Sequence, residues 1–128
     1  MKKKILIVDD EVTMCTLLEF FLSSKYEVTA LQSAEEAIIW LRTNLPDLII
    51  SDINMGEMDG FGFLKKVRLM GYTKHTPIIM LSGKAESKER VNCYKLGAQD
   101  YLTKPFNPEE LELVVKKNLF PIHYSNTW

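Results

Sequence analysis

Side chains that could take part in chemistry follow four short apolar segments of this 128-residue chain. Asp9, Asp10 and Glu11 follow residues 5–8, and Asp52 comes shortly after residues 48–50. The hydroxyl of Ser82 follows residues 78–81, and the amine of Lys104 comes shortly after residues 100–102. Carboxylates that lie close together either hold protons or share a cation, and hard oxygen ligands of this kind suit Mg²⁺ or Mn²⁺. A metal site is the more economical interpretation.

The same residue types could carry out phosphoryl chemistry. A carboxylate can attack phosphorus to form an aspartyl phosphate, provided that cations neutralise the incoming phosphoryl group. A metal on one side and Lys104 on the other would supply that charge, and Ser82 could donate a hydrogen bond to a phosphate oxygen. Taken singly, each residue is explained more simply as a helix N-terminal acid, a turn residue or an exposed lysine. Their joint position favours a functional site.

Five segments are predicted to be strands that are buried on both faces. They are the continuous apolar runs at residues 5–8, 28–31, 48–50 and 78–81, and a shorter one at residues 100–102. These runs alternate with longer segments of helical periodicity. The alternation predicts an α/β fold, a doubly wound five-stranded parallel sheet with helices on both faces. In such sheets, ligands bind beyond the C-terminal ends of the strands.

The helices are indicated by apolar stripes and by residues typical of helix ends. In the first helix, the residues spaced to face the sheet are Met14, Leu18, Phe21 and Leu22. In the third helix they are Phe61, Leu64 and Val67. Ser33 and Glu36 form a capping box at the start of the second helix. Gly71 and Gly97 are suited to left-handed caps after the third and fourth helices, and Pro108 suits the first position of the fifth.

The composition is that of one globular domain that does not bind nucleic acid. Hydrophobic residues make up 46% of the chain, and sixteen Lys and Arg against seventeen Asp and Glu give a formal charge of -1. The cationic surface that direct DNA binding needs is therefore missing. The apolar run that follows the three lysines at residues 2–4 is too short for a signal peptide, and no other segment could insert into a bilayer, so we expect a cytoplasmic location. Cys15 and Cys93 match no metal or redox spacing, and we expect buried thiols.

Four segments resemble the receiver domain of bacterial two-component response regulators, over residues 4 to about 119. They are residues 5–11, 47–52, 58–60 and 97–106, and their order and spacing are highly specific. The resemblance implies a flavodoxin-like (βα)5 fold with strand order 2-1-3-4-5. It also implies a signalling domain, not an enzyme, which catalyses only its own phosphotransfer and dephosphorylation.

The resemblance assigns roles to the residues of the predicted site. Asp52 would accept a phosphoryl group from a sensor histidine kinase, a phosphotransfer protein or a small phosphodonor. Asp10, Asp52 and the backbone carbonyl of Asn54 would coordinate Mg²⁺, while Asp9 would act through a water molecule. Lys104 would pair with the phosphate, and the peptide bond between Lys104 and Pro105 would be cis.

A switch and two partner surfaces are also implied by the resemblance. Ser82 and Tyr101 match a switch pair, in which the hydroxyl moves toward the phosphate and the aromatic ring turns inward. Plain core packing of Tyr101 remains the simpler alternative. The output face, residues 86–96 and 101–119, would bind an output partner or form a homodimer. A kinase would dock on the first helix near three residues: Met14, Cys15 and Leu18.

Two features limit what the resemblance predicts. Gly56 stands where the family very often has proline, and its backbone freedom should loosen residues 55–58. Asn54 and Lys84 occupy positions that tune the phosphoryl lifetime in the family, so that lifetime is not predicted. We expect a receiver domain at residues 1–119 and a short C-terminal tail or truncated linker at residues 120–128, so that the chain is either a stand-alone receiver or a fragment.

Three other functions compete with the phosphorylated switch. A flavodoxin-like nucleotide binder would need a glycine- and hydroxyl-rich loop after the first strand, where residues 9–11 would repel phosphate. A phosphoaspartyl hydrolase usually has a paired-Asp loop, which residues 52–54 do not match. A phosphorylation-independent docking module with the same fold would not use the five site residues, all of which are present.

Overall fold

A five-stranded parallel sheet forms the centre of the computed structural model, which describes residues 1–121. Its strands are β1 (Lys4–Val8), β2 (Glu27–Leu31), β3 (Leu48–Asp52), β4 (Ile78–Ser82) and β5 (Asp100–Thr103). Their order across the sheet is β2-β1-β3-β4-β5, and each neighbouring pair is parallel. The predicted doubly wound sheet and its strand order are confirmed.

Five helices alternate with the strands: α1 (Val12–Leu22), α2 (Ala34–Leu41), α3 (Gly60–Leu69), α4 (Ser87–Lys95) and α5 (Pro108–Leu119). Two apolar clusters show that α1 and α5 cover one face of the sheet, whereas α2, α3 and α4 cover the other. Across residues 1–121, no helix has the length and apolar character needed to cross a membrane. The predicted tail at residues 122–128 lies outside the described residues, and the division after residue 119 stays a prediction.

Alternate residues of the central strands enter different clusters. In β1, Ile5 and Ile7 pack with α1 and α5, whereas Leu6 and Val8 pack with α2 and α3. Side chains alternate across a strand, so a strand that is covered on both faces needs apolar residues at successive positions. Full burial of each such side chain contributes about 1.5–3 kcal/mol. This burial explains the continuous apolar runs.

Side-chain caps start two of the helices, and the cap by Ser33 was predicted. Ser33 accepts a hydrogen bond at 3.1 Å from the backbone N–H of Glu36 at the start of α2. Asn107 accepts two backbone N–H groups, at 2.8 and 3.1 Å, at the start of α5, where Pro108 is the first helical residue. A cap of this kind stabilises a helix by about 1 kcal/mol.

The two glycine caps have different outcomes. Gly97 has a φ of +102° after α4, which confirms the prediction. The prediction at Gly71 is wrong, because Gly71 does not have a positive φ and Met70 already leaves the helix in an extended conformation. Thr73 donates its hydroxyl to the carbonyl of Val67 at 2.8 Å, which satisfies a carbonyl of the last turn without a glycine cap.

Of two aromatic residues predicted to face the sheet, Phe21 lies elsewhere and Phe61 packs only partly against the apolar cluster there. Phe21 is exposed on the flank of α1, where the edge of its ring meets Phe106 at a centroid distance of 6.0 Å. In α3, Phe63 is fully buried and Phe61 only half-buried. Both helices have apolar residues on more than one side, so periodicity alone did not identify the buried stripe.

The kinase-docking prediction on α1 needs a correction. Cys15 and Leu18 are buried against the sheet and cannot form a docking surface. The apolar side chains that α1 exposes most are Val12, Leu17 and Phe20. Any partner of this helix would therefore contact these residues instead.

Candidate functional site

Three carboxylates meet at the C-terminal edge of the sheet. Asp9 follows β1 and Asp52 ends β3, and because Val8 pairs with Ser51, the two acids leave neighbouring strands side by side. Asp9, Asp10 and Asp52 each offer one carboxylate oxygen to a group whose atoms all lie within 4.8 Å of one another. Asp9 and Asp52 are buried, whereas Asp10 is exposed. The group is thus open to solvent on one side.

Lys104 brings the positive charge to these acids. Its Nζ lies 3.0 Å from Oδ2 of Asp9, 3.1 Å from Oδ1 of Asp52 and 3.3 Å from Oε1 of Glu11. Its backbone N–H donates to the carbonyl of Ser82 at 2.6 Å, and the peptide bond to the following proline is cis, as predicted. The side chain therefore reaches from the end of β5 across β4 to the acids of β3 and β1.

Burial and charge shift the ionisation of this group. Burial raises the pKa of Asp9, against the opposing effect of its hydrogen bonds. Burial and the charge of Asp9 also raise the pKa of Asp52, although Lys104 lowers it. Burial alone would lower the pKa of Lys104, but its contacts with both acids keep that pKa above its usual value. Three carboxylates against one ammonium leave an excess of negative charge.

The donor set fits a hard divalent cation. Carboxylate oxygens are preferred ligands of Mg²⁺ and Mn²⁺, and Mg²⁺ usually keeps several water molecules, which the exposed side at Asp10 allows. Asn54, whose carbonyl is the further predicted ligand, lies in the loop between β3 and α3. Gly56 in the same loop has a φ of +28°, in the region that favours glycine.

Asp52 is held by the start of α3. The backbone N–H of Ile53 donates to Oδ1 of Asp52 at 2.9 Å, and the N–H of Gly60 donates to the carbonyl of Ile53 at 2.6 Å. A Cβ atom at Gly60 would lie only 2.4 Å from the backbone oxygen of Asp52. Glycine is thus required where α3 begins against the end of β3.

Ser82 and Tyr101, the predicted switch pair, both contact Glu89 of α4. The buried Ser82 hydroxyl donates to Oε1 of Glu89 and accepts the backbone N–H of Lys84 at 3.0 Å. The hydroxyl of Tyr101 lies 2.7 Å from the same Oε1 and also contacts the carbonyl of Lys84. Burial raises the pKa of Tyr101 to about 12. Ser82 thus ends the strand beside Asp52, with its hydroxyl engaged by α4.

Comparison with known proteins identifies the family. A profile described as "Response regulator receiver domain" matches residues 5–116. The chain belongs to the response regulator receiver domain family. This receiver domain is 42% identical to the alkaline phosphatase synthesis transcriptional regulatory protein PhoP of Bacillus subtilis, over 91% of the chain and 48% of the relative. The chain thus spans about half the length of the curated relatives it matches.

Solved structures of receiver domains have the same fold. The chemotaxis response regulator CheY4 of Vibrio cholerae is 35% identical, with a TM-score of 0.87 over 93% of this chain and all of the other. The receiver domain of the sensor histidine kinase PA1611 of Pseudomonas aeruginosa is 29% identical, with a TM-score of 0.85 over 93% of this chain and 98% of the other, and its structure has a magnesium ion coordinated in the active site cleft.

Sequence reasoning missed one residue of the receiver domain's site region. Glu89 lies in the first turn of α4, where an acid is ordinarily explained by the helix dipole. Its spacing from Ser82 and Tyr101 matches no pattern, because the three residues belong to three different elements. A sequence signal could not have distinguished Glu89 from its exposed neighbour Glu86.

Proposed function

We propose that Asp52 accepts a phosphoryl group and that its phosphorylation switches the output face formed by α4, β5 and α5. The observation that carries this proposal is the contact of Lys104 with Asp52 inside an acidic cluster that is open to solvent. A nucleophilic carboxylate, a positioned ammonium and hard oxygen ligands are the groups that aspartyl phosphorylation requires. In this proposal the domain is a signalling switch that turns over only its own phosphoryl group.

In the proposed transfer, a carboxylate oxygen of Asp52 attacks the phosphorus of the donor. An O–P bond forms while the bond from phosphorus to the donor breaks, and its electron pair leaves with the donor; a histidine leaving group takes up a proton from solvent, whereas acetate leaves as the anion. The broken bond is P–N when the donor is a phosphohistidine and P–O when it is acetyl phosphate. The Lys104 ammonium, 3.1 Å from Oδ1 of Asp52, neutralises the charge of the arriving phosphoryl oxygens.

Asp9, Asp10, Asp52 and the carbonyl of Asn54 would hold Mg²⁺, with Mn²⁺ as a possible substitute. When bound, the cation supplies positive charge to the phosphoryl oxygens. The excess of carboxylates over ammonium groups supports this proposal, as does the magnesium ion in the cleft of the PA1611 receiver domain. The single positive charge of Lys104 would not balance the negative charges of the acidic group.

The proposed partners follow from the exposed surfaces. A sensor histidine kinase or phosphotransfer protein would dock on the apolar residues of α1, namely Val12, Leu17 and Phe20. An output partner or a second copy would bind the output face, which exposes Val91, Tyr94 and Leu113. We place these functions in a cytoplasmic domain at residues 1–119, which makes no direct contact with nucleic acid.

Acetyl phosphate tests the phosphoryl acceptor directly. The protein is incubated with acetyl phosphate and Mg²⁺, and its intact mass is measured. We expect the mass to increase by one phosphoryl group in the wild type and to stay unchanged in Asp52→Asn. Asp47→Asn is the matched control, because Asp47 is an exposed acid that precedes β3 at the opposite edge of the sheet.

Two results would contradict the proposal. Labelling that persists in Asp52→Asn would move the acceptor to another residue. An unchanged mass of the wild type, under conditions that label a known receiver domain, would favour a phosphorylation-independent docking module.

A further inference from the structure

One carboxylate oxygen of Glu89 joins two hydroxyl groups from two different strands. Oε1 of Glu89 accepts the hydroxyl of Ser82 at the end of β4 and lies 2.7 Å from the hydroxyl of Tyr101 in β5. Glu89 is half-buried, so its side chain lies between α4 and the sheet. Hydrogen bonds to an ionised acceptor are roughly twice as strong as those between neutral groups.

Helix α4 has few other attachments to the sheet. Of its nine described residues, Cys93 alone is buried. Its N-cap residue, Glu86, makes no capping hydrogen bond through its side chain with any part of residues 1–121. The contacts of Glu89 therefore account for much of what holds the first turn of α4 against β4 and β5.

The Ser82 hydroxyl cannot serve two acceptors at once. A serine has a single hydroxyl proton, and in this structure that proton is donated to Glu89. Ser82 directly follows the residue of β4 that pairs with Asp52, so a phosphoryl group on Asp52 would lie near it. A hydrogen bond from Ser82 to that group requires the bond to Glu89 to break.

We propose that Glu89 is the resting-state acceptor for the switch hydroxyls and that a phosphoryl group on Asp52 competes with it for the proton of Ser82. This inference rests on the proposed function of Asp52. When Ser82 leaves Glu89, the first turn of α4 loses one of its hydrogen bonds to the sheet, which couples Asp52 to the output face. Glu89 is thus a positioning residue that opposes switching.

Beryllofluoride, a stable mimic of a phosphoryl group, measures this competition. The protein is titrated with beryllofluoride in the presence of Mg²⁺, and half-saturation is read from the backbone amide signals of Ile53 and Gly83 by NMR. We expect Glu89→Gln to lower the half-saturating concentration about three- to tenfold, because a neutral acceptor holds Ser82 more weakly. Glu89→Asp, which keeps the charge but shortens the reach, is expected to act in the same direction.

The Ser82→Ala background separates this effect from a general effect of charge. Without the hydroxyl there is nothing to compete for, so Glu89→Gln should leave the half-saturating concentration of Ser82→Ala unchanged. Glu86→Gln removes an exposed charge one turn earlier and should behave as the wild type. Thermal unfolding of each variant establishes that it is folded.

The outcomes distinguish the two proposals. Glu89→Gln could lower the half-saturating concentration of beryllofluoride equally with and without the Ser82 hydroxyl, or lower it in neither background. Either result would overturn the role of Glu89 while leaving Asp52 as the acceptor. A wild-type protein that neither binds beryllofluoride nor is phosphorylated would overturn the proposed function itself.

Discussion

The ammonium nitrogen of Lys104 lies 3.1 Å from Oδ1 of Asp52, although Lys104 follows β5 and Asp52 ends β3, two strands that are not neighbours in the sheet. The same nitrogen lies 3.0 Å from Asp9. One cation thus compensates two buried carboxylates.

We expect Lys104→Ala to be phosphorylated more slowly but to keep Asp52 as the acceptor. Loss of a positioned charge at the reacting group slows the reaction roughly a hundredfold to a thousandfold. Mass spectrometry over time with acetyl phosphate measures this rate. We also expect beryllofluoride to change the amide signals of α4 less than in the wild type. Lys65→Ala, which removes an exposed lysine of α3, is the control, and full α4 shifts in Lys104→Ala would contradict the proposed coupling.

We expect Asp52→Asn to stabilise the metal-free protein. Burial and the charge of Asp9 raise the pKa of Asp52, so its ionised form is unfavourable in the folded state. An amide of the same shape removes this repulsion, and we expect a gain in the free energy of unfolding. Urea denaturation measures it. Added Mg²⁺ should then stabilise the wild type more than Asp52→Asn, whereas equal stabilisation would argue against Asp52 as a ligand.

We expect Gly60→Ala to destabilise the fold and to disturb the acceptor. The added Cβ would lie 2.4 Å from the backbone oxygen of Asp52 and 2.6 Å from Cα of Ile53, so the start of α3 must shift. Overpacking of this kind costs about 1–3 kcal/mol. Gly71→Ala is the matched control, because among the described residues no atom beyond its chain neighbours lies within 4 Å of the added Cβ. Thermal unfolding of the two variants tests the difference, and similar melting temperatures would contradict it.

We expect Arg68→Ala to lower the free energy of unfolding by about 2–4 kcal/mol, because several backbone acceptors would lose a charged donor at once. The guanidinium of Arg68 donates to the carbonyls of Thr73, Thr76 and Gly97 at 2.7–3.0 Å. It also donates to Oε1 of Gln99 at 2.9 Å, which links the ends of α3 and α4. Urea denaturation checks the loss.

Two further variants define the role of Arg68. Arg68→Lys should recover only part of the lost stability, since an ammonium cannot reproduce the fork of the guanidinium. Lys66→Ala removes an exposed charge from the same helix and should change stability little. A loss of similar size in Lys66→Ala would mean that helix charge, and not the Arg68 contacts, is responsible.

We expect the protein to lose stability at alkaline pH because of the buried thiol of Cys93. As expected for a buried thiol, Cys93 is fully buried, and burial raises its pKa from an ordinary value of 9.0 to about 11. The folded protein therefore holds more protons than the unfolded chain between pH 9 and 11. The stabilising contribution is complete below pH 9 and is lost as the pH rises to 11, by on the order of 2 kcal/mol. Urea denaturation across this range measures the loss.

Cys93→Ala tests the source of that alkaline loss. We expect this variant to be less stable at pH 7 because of the small cavity, yet to lose less stability between pH 9 and 11. If the free energy of unfolding falls as steeply between pH 9 and 11 in this variant as in the wild type, the loss belongs to other groups. One such group is the buried Tyr101 phenol, whose pKa is also raised.

Local sequence patterns predicted most of the fold and the acidic group of the site. Continuous apolar runs identified the strands because strands covered on both faces need them. Parallel connections then required Asp9, Asp52 and Lys104 to follow strand ends at one edge. The left-handed cap at Gly97 was likewise local, because it depends on backbone conformation.

Other features depended on packing between distant segments. Phe21 is compatible with an apolar stripe, but the sheet contacts the neighbouring side of α1. Thr73 replaces the cap expected at Gly71 because its hydroxyl happens to reach a carbonyl of α3. The exposure of Phe21 and the hydrogen bond of Thr73 depend on how one element packs against another, and hydrophobic periodicity does not specify that packing.

The sequence by itself determined that Asp9, Asp10, Asp52, Ser82 and Lys104 belong to one edge of a receiver-type sheet, since residue type and spacing are enough when topology is regular. Only the tertiary structure decided that Lys104 reaches both Asp9 and Asp52, and that Glu89 receives the hydroxyls of Ser82 and Tyr101. Hydrogen bonds act over about 3 Å, so a residue's partner is decided by how the helices and strands pack.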